Sequence, residues 1–286
     1  MTTSLTTYNS AAREAAATVI GEYSTSFGLA ARLLGARPRP HIRTVYALVR
    51  IADEIVDGAA AEAGLDPATV RRVLDELEAE TLIALSRGFS TNVVVHAFAL
   101  TARECGIGAD LIRPFFASMR TDLDVSTHDP ASHDAYVYGS AEVVGLMCLQ
   151  VFLNAGAPHP VTPDAALVTG ARRLGAAFQD INFLRDRAVD ADVLGRDYLG
   201  MDGRAVTRED VLDRIDADLA AAAAVIDDLP ADCRRAVSTA HDLFAELAQR
   251  LRHAEDPDVR VRVPGFKKAA IAARAAVSGG PRKTSE

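Results

Sequence analysis

Two stretches of the chain carry carboxylate and amide side chains at the spacing of one helical turn. Asp53 and Asp57 are four residues apart, and Asn182, Asp186 and Asp190 repeat that interval. Because a helix completes a turn in about 3.6 residues, each set forms a column along one helix face. Oxygen ligands of this kind suit Mg²⁺, which proteins usually hold with one or two carboxylates and with substrate phosphates. Two such helices facing each other could therefore hold Mg²⁺ ions that bind a diphosphate.

The acidic columns also have a purely structural interpretation, as solvated helix faces. Arg185 and Arg187 could pair with the second column. Arg50 could pair with Glu54 at i+4, an interaction worth about 0.2–0.5 kcal/mol. The acidic pattern occurs twice in the chain, however, and a cation beside a Mg²⁺–diphosphate cluster has a stronger role than a surface ion pair. We therefore predict one shared metal site.

Composition favours closely packed helices in a cytoplasmic protein. Of the 286 residues, 49% are hydrophobic and only 6% are aromatic, with no Trp, and Ala is abundant. The net charge of −8 argues against a nucleic-acid surface, which requires clustered Lys and Arg. Cys105, Cys148 and Cys233 have no metal-ligand spacing and are expected to be reduced. The first residues lack the pattern of a signal peptide, and we expect no stretch of the roughly 18 apolar residues that a membrane span requires.

The helices that must position the acidic columns are delimited by Gly and Pro residues. The chain is expected to form a single domain, 1–286, of roughly ten or more helices, with flexible ends at 1–10 and 278–286. The predicted helices span 11–21, about 41–58, 67–87, 91–105, 109–120, 134–155, 164–190, 207–229 and 230–254.

A loop is predicted over residues 121–134, because the polar residues there lack a recognisable pattern. Asp122 and Asp124 do not have the i, i+4 spacing, and His128 and His133 form no zinc-binding set. No catalytic or binding role is therefore predicted for this segment.

Five segments together resemble the squalene and phytoene synthase family, the head-to-head branch of the isoprenoid synthases. They are Tyr-Ser-Thr-Ser-Phe at 23–27, Tyr46 to Asp57, Tyr136 to Gly145, Gln179 to Asp190, and Gly-Arg-Asp-Tyr-Leu at 195–199, and they follow the family's order. The resemblance implies an all-α, isoprenoid synthase-type bundle around a central apolar cavity. It also implies a Mg²⁺-dependent prenyltransferase, for which Mn²⁺ could substitute and NADPH is not expected.

The resemblance also implies roles for individual residues. The expected metal ligands are Asp53, Asp57, Asn182, Asp186 and Asp190. The expected catalytic residues are Asp53, Asp57, Asp186, Asp190 and Tyr136, whose ring could stabilise a carbocation. The expected substrate-binding residues are Tyr23, Ser24, Thr25, Ser26, Phe27, Tyr46, Arg50, Gln179, Arg185, Arg196, Tyr198 and Arg262. Hydroxyls near residues 24–26 could equally cap a helix, and the two roles can coexist.

Two geranylgeranyl diphosphates are the expected substrates, condensed through a cyclopropyl diphosphate (prephytoene diphosphate) to phytoene in carotenoid biosynthesis. Ala31, one turn after Phe27, would leave a tunnel open for a twenty-carbon chain. The alternatives within the family are squalene, dehydrosqualene or presqualene diphosphate synthases that use farnesyl diphosphate. A terpene cyclase acting on one diphosphate fits the 23–27 and 195–199 matches poorly. A catalytically silent relative that serves as an assembly partner would have lost acidic residues that this chain retains.

Other features leave alternatives open. Glu142 stands where the family commonly has Gly, and it could quench a cation, serve a structural role or lie outside the cavity. The basic residues at the C-terminal end, Arg260, Arg262, Lys267 and Lys268, could meet a diphosphate, an acidic membrane surface or solvent. Peripheral membrane contact is expected for the release of an oily product. The sequence does not determine the oligomeric state or the group that takes the final proton.

Overall fold

The structure is a computed structural model that describes residues 3–24, 26–189, 195–201, 206–254, 256 and 260–278. These residues form helices and connecting turns. Within the described ranges no strand occurs, and the β-type pairing is an isolated bridge between Thr127 and Asp197. The predicted all-α fold is therefore confirmed.

The helices are numbered in chain order. They are α1 Ser4–Tyr23, α2 Ser26–Arg32, α3 Arg39–Asp57, α4 Ala59–Glu62, α5 Pro67–Arg87, α6 Val93–Cys105, α7 Ala109–Asp124, α8 Pro130–Val137, α9 Val143–Asn154, α10 Ala165–Val189, α11 Arg208–Ala223, α12 Ala231–Arg252 and α13 Gly265–Ser278. A π-helical turn, Tyr138–Glu142, joins α8 to α9, and a 3₁₀ turn, Ile226–Asp228, follows α11.

The start of the chain differs from the prediction of a loose lead-in over residues 1–10. Helix α1 already begins at Ser4, because the Thr3 hydroxyl accepts a hydrogen bond from the Thr6 N–H at 3.1 Å and caps the helix. The Tyr8 hydroxyl then donates to the Ser90 carbonyl at 2.9 Å, which ties α1 to the connection before α6. At the other end, the predicted flexible segment 278–286 begins at Ser278, the last residue of helix α13, and its remaining residues lie outside the described part of the chain.

The prediction of a loop over residues 121–134 was wrong at both of its ends. Helix α7 continues to Asp124, and α8 begins at Pro130. Asp129 caps α8 by accepting the Ser132 N–H at 2.8 Å. Asp122, Asp129 and His133 thus have partners in the folded protein, whereas both ring nitrogens of His128 are buried without a hydrogen-bond partner among the described residues.

The two helices that carry the acidic columns pack into separate core clusters. Phe98, Phe115, Phe116 and Leu48 are fully buried in a cluster built largely by α3, α6, α7 and α9. A second cluster, on α10, α11 and α12, includes Ile181, Leu184, Leu212 and Ile215. The helices α3 and α10 thus each have one face in a packed core and can present another face to the space between them.

Two glycines bring α10 close to the π-helical turn and α9. A Cβ at Gly145 would lie 2.4 Å from the Ala171 carbonyl oxygen, and one at Gly175 would lie 2.6 Å from the Ala141 carbonyl oxygen. Both distances are shorter than any real Cβ contact. Any larger residue at either position would therefore push α9 and α10 apart.

One helical stretch, Pro130–Asn154, is long and apolar enough by composition to cross a membrane, contrary to the prediction that no stretch would be. Half of its most apolar window is buried inside the protein. It packs against α7 and α10, as the core helix of a globular domain does.

Candidate active site

A cavity of about 570 Å³ lies among α2, α3, α9, α10, α11 and α12. Its wall becomes polar toward the carboxyl ends of two helices. Along α10 the lining residues change from Leu167 and Leu174 to Asn182 and Arg185. Along α3 they change in the same way, from apolar Ile42 to the cation Arg50. The cavity can therefore take a molecule with a long apolar part and a polar head.

The deep wall comes largely from aliphatic and small side chains. They are Ala30, Ala31, Leu34, Val45, Val144, Leu149, Ala222, Val225, Ile226, Leu229 and Val237. Ala31 is only 6% exposed, so its methyl group forms wall and not rim. The position predicted to keep the tunnel open does line the cavity.

On α3, the first acidic column follows Arg50, but neither Asp53 nor Asp57 is among the described residues that line the cavity. Burial, together with the neighbouring Asp57 carboxylate, raises the pKa of Asp53 to about 8, although the Arg50 guanidinium opposes the shift. Two carboxylates that close together favour the binding of a cation or a proton.

Arg50 forms the ion pair that its sequence position suggested and also lines the cavity. Its guanidinium pairs with Glu54 at i+4 and lies 4.6 Å from the centre of the Tyr23 ring. Its Nε is nevertheless buried without a hydrogen-bond partner among the described residues. A buried donor without a partner is costly, so this atom favours an anionic ligand in the cavity.

Ser24 and Tyr46 lie on the same wall of the cavity. The Ser24 hydroxyl accepts the Gly28 N–H at 3.1 Å, as a helix cap does, and it also hydrogen-bonds with Tyr46. Thr25 lies outside the described residues, as do the side chains of Ser26 and Phe27. The capping role of Ser24 is thus observed beside its position in the cavity wall.

The second acidic column contributes Gln179, Asn182 and Arg185 to the cavity wall. The Asp186 carboxylate accepts hydrogen bonds from the neighbouring Arg185, and it forms an ion pair with Arg260 at 2.7 Å. Asp190 lies outside the described residues. The structure therefore places Gln179, Asn182 and Arg185 in the wall, and it places Asp186 in contact with two wall residues, Arg185 and Arg260.

Asp122, which sequence reasoning had placed in a loop, is the centre of a buried network. Its carboxylate accepts hydrogen bonds from the Tyr136 hydroxyl at 2.8 Å and the Tyr198 hydroxyl at 2.9 Å. Burial raises the pKa of Asp122 to about 6. A signal was present in the sequence, because Asp122 continues the buried i, i+4, i+7 stripe of α7 that contains Phe115 and Met119.

Arg196 connects this network to the first acidic column. Its guanidinium donates to Asp57 at 2.8 Å, to the Tyr198 hydroxyl at 2.7 Å and to the Asp122 carbonyl at 2.9 Å. Its side chain is only 9% exposed. Arg196 and Tyr198, which were predicted to bind substrate, thus lie beside the first acidic column, and neither is among the described residues that line the cavity.

Tyr136 lies elsewhere than its predicted role requires. Its ring packs against Tyr198, with centroids 5.3 Å apart, and against His128 and Phe183. It is 5% exposed and is not among the described residues that line the cavity. A ring that stabilises a carbocation directly would have to reach the cavity wall. Tyr136 instead contacts Asp122.

Two further residues are placed apart from the main cavity. Arg262 lines a neighbouring cavity of about 390 Å³ together with Arg260 and Lys268. Glu142 pairs with Arg172 of α10 at 2.6 Å and does not contribute to the described wall. Of the alternatives for Glu142, the structure supports an ion pair outside the cavity.

The donors at the polar end fit a hard divalent cation. Within the part of the chain that the structure describes, no three His, Cys, Asp or Glu side chains are arranged to hold a metal ion by themselves. Mg²⁺ does not require such a cage, since it usually keeps waters and substrate phosphates among its ligands. The proximity of Asp53 to Asp57, which helps to raise the pKa of Asp53, is the observation that favours a cation there.

Comparison with known proteins gives a matching family model and several related sequences. The family model described as squalene/phytoene synthase matches residues 20–267. The 15-cis-phytoene synthase of Paracoccus sp. (strain N81106 / MBIC 01143) is 29% identical over 279 residues, which cover 88% of this chain and 86% of that protein. The bifunctional lycopene cyclase/phytoene synthase of Colletotrichum graminicola is 32% identical over 70% of this chain, but the match spans only 37% of that longer protein.

A solved structure shows the same fold. The crystal structure of a dehydrosqualene synthase in complex with ligand has a TM-score of 0.77 to this chain, with 22% identity, and the match covers 94% of this chain and 96% of that one. At this identity the likeness concerns the helical fold.

Proposed function

Because the chain belongs to the squalene/phytoene synthase family, we propose that it condenses two geranylgeranyl diphosphates head to head to phytoene. Members of the family are prenyltransferases, and prenyl diphosphates are their substrates. The observation that carries the proposal is the cavity itself. Its wall is apolar, and its polar end holds the unpartnered Arg50 Nε beside two acidic columns.

In the proposed reaction, the diphosphates bind at the polar end and the prenyl chains fill the apolar part. Arg50, Gln179 and Arg185 line this end and would hold the diphosphate oxygens. Asp53, Asp57, Asn182 and Asp186 would hold Mg²⁺, or Mn²⁺ in its place. When bound, the cation would neutralise the charge that develops on the departing diphosphate.

The chemical steps are those that the family implies, and the arrangement of the cavity would accommodate them. The allylic C–O bond of one substrate breaks, and the diphosphate leaves with the electron pair. The double bond of the second substrate attacks the resulting cation, and loss of a proton closes a cyclopropyl diphosphate. A second ionisation, rearrangement and loss of another proton give phytoene. The aliphatic wall excludes water, which would otherwise capture either cation.

The proposed role of Tyr136, Tyr198 and Asp122 is to hold other residues of the site in place. Their hydrogen bonds fix Arg196, and Arg196 in turn fixes the Asp57 carboxylate. This network would keep the first acidic column in one orientation while diphosphate enters and leaves.

The choice of a twenty-carbon substrate rests on Ala31, whose small side chain lies in the wall. The likeness in fold to a dehydrosqualene synthase keeps a farnesyl diphosphate-using enzyme as the second candidate. Neither the formation of phytoene nor the formation of dehydrosqualene needs NADPH, and we propose no nicotinamide cofactor.

Contact with a membrane surface would allow the oily product to leave, and we place it at the start of α13. Phe266 is 74% exposed, and Lys267 and Lys268 follow it directly. Residues 260–278 contain no Asp or Glu, although the whole chain has a net charge of −8. An exposed aromatic ring among cations suits an anionic lipid surface.

The test is product analysis. The purified protein would be incubated with Mg²⁺ and either geranylgeranyl or farnesyl diphosphate, with and without NADPH, and the extracted hydrocarbon identified by mass spectrometry. Phytoene from the longer substrate without NADPH supports the proposal. A thirty-carbon product from farnesyl diphosphate alone would overturn the chain length, and no hydrocarbon from either substrate would overturn the reaction.

A further inference from the structure

The two acidic columns differ in how their counter-cations are held. On the first column, Arg196 meets Asp57 while also bonded to Tyr198 and to the Asp122 carbonyl. With a side chain 9% exposed and several bonds to separate elements, Arg196 is fixed in place. A cation that binds Asp57 would therefore have to share this carboxylate with Arg196.

On the second column, the counter-cation comes from a distant part of the chain and is exposed. Arg260 precedes α13, and its Nε lies 2.7 Å from the Asp186 carboxylate of α10. Its side chain is 49% exposed, and that of Asp186 is 21% exposed. An ion pair this accessible to water is held weakly and can open without unfolding the helices around it.

Arg260 also lines two spaces at once. It forms part of the wall of the main cavity and part of the wall of the smaller cavity that it shares with Arg262 and Lys268. A guanidinium at this boundary can turn from Asp186 toward an anion in the main cavity with a change of side-chain rotamer. Arg185, which contacts the same carboxylate, lines both cavities as well.

We propose that Arg260 is an exchangeable counter-ion of Asp186, displaced onto the diphosphate when a divalent cation takes the carboxylate. This inference rests on the proposed function, since it treats Asp186 as a metal ligand. Before loading, the ion pair competes with the cation for Asp186. After loading, the released guanidinium gains a new acceptor in the diphosphate, so that cation and diphosphate each strengthen the binding of the other.

The size of the effect follows from the exposure of the pair. Exposed ion pairs change an equilibrium constant by roughly one- to fivefold, so removal of Arg260 should tighten the binding of the cation alone by about two- to fivefold. Because coupling is reciprocal, the same substitution should weaken the mutual enhancement by cation and diphosphate by a similar factor.

The experiment is calorimetric titration of Mg²⁺ into the full-length protein, alone and with inorganic diphosphate at matched free Mg²⁺. Wild type, Arg260→Gln and Arg72→Gln would be compared, with thermal melts to confirm that each variant is folded. Arg72 is a matched control, because it is an exposed arginine that pairs with Glu76 on α5 and lines neither cavity. We expect tighter binding of Mg²⁺ alone and weaker enhancement by diphosphate in Arg260→Gln, and a smaller change in Arg72→Gln.

Three results would overturn the proposal. An unchanged Mg²⁺ affinity in Arg260→Gln would show that the ion pair does not compete with the cation. An equal gain in Arg72→Gln would show a general effect of charge and no exchange at Asp186. If wild type binds no Mg²⁺ with or without diphosphate, the metal assignment itself fails. If the protein forms hydrocarbon but Arg260→Gln has an unchanged Mg²⁺ affinity, the proposed reaction stands and only the exchange is ruled out.

Discussion

The Arg196 guanidinium donates a 2.8 Å hydrogen bond to the Asp57 carboxylate, although the two residues are 139 positions apart in the chain. The same guanidinium reaches the Asp122 carbonyl of α7 at 2.9 Å. One side chain thus joins the end of α3, the end of α7 and the segment 195–201. The position of the first acidic column depends on this connection.

Removal of Arg196 should therefore cost stability as well as activity. We expect Arg196→Gln to lower the free energy of unfolding by about 1–3 kcal/mol, because it leaves buried acceptors without a donor. The measurement is urea unfolding. The matched control is Arg252→Gln, which removes an arginine that pairs with the exposed carboxylates of Glu209, Asp213 and Asp216 and should cost less than about 1 kcal/mol. Equal losses in the two variants would contradict the anchoring role.

The Tyr136 hydroxyl can be tested apart from its ring. We expect Tyr136→Phe to destabilise the protein by about 0.5–1.5 kcal/mol, because Asp122 loses one hydrogen bond while the aromatic packing remains. A double-mutant cycle with Asp122→Asn measures the coupling, which should be well above zero. Additive effects of the two substitutions would show that the hydroxyl and the carboxylate act independently.

The pH dependence of the metal-free protein should report on Asp53. In the folded chain its pKa is raised to about 8 from an ordinary value of 3.8. Between these values the folded state binds the proton more strongly than the unfolded state, so stability is greatest at low pH and falls as pH rises toward 8.

Thermal melts in a chelator at about pH 6 and about pH 8 test this expectation. The pKa of Asp122 is raised to about 6, so much of its contribution to stability is already lost as the pH rises to the lower of these two conditions. Asp53→Asn should therefore flatten the decline in melting temperature between the two conditions. An undiminished decline in the variant would assign the effect to another group.

The substrate length should depend on position 31. We expect Ala31→Phe to reduce the use of geranylgeranyl diphosphate at least tenfold relative to farnesyl diphosphate. The reason is that a phenyl ring at this position of the wall would fill part of the cavity. The comparison is of relative kcat/KM for the two substrates. Ala68→Phe, at an exposed position on α5, is the control for the same substitution outside the cavity. An unchanged ratio in Ala31→Phe would show that the chains run elsewhere.

Membrane contact at α13 should depend on Phe266. We expect Phe266→Glu to reduce co-sedimentation with vesicles that contain anionic lipid, because it places a carboxylate among Lys267 and Lys268. Leu5→Glu alters another exposed apolar side chain, 55% exposed on α1, and should have little effect. Equal binding by wild type and Phe266→Glu would rule out this surface.

Much of the fold and part of the site follow from the order of the residues. Asp66 and Pro67 mark the start of α5, and the i, i+4 columns mark the helices of the acidic residues, because capping and helical periodicity are local properties. The partners of those residues are not local. Arg260 meets Asp186, and Tyr136 turns toward Asp122, only because of how distant helices pack. Asp122 lacks the i, i+4 acidic spacing, so its place on the buried stripe of α7 is the one local signal that it offers.

The most direct test of a shared site is the binding of a non-hydrolysable geranylgeranyl diphosphate analogue, followed by thermal stabilisation with and without Mg²⁺. We expect wild type to be stabilised strongly only when both are present, and we expect Asp53→Asn and Asp186→Asn each to lose most of that effect although the substituted residues lie on different helices. Wild-type levels of Mg²⁺-dependent stabilisation in the Asp53→Asn/Asp186→Asn double variant would contradict the assignment of the two acidic columns to one diphosphate site.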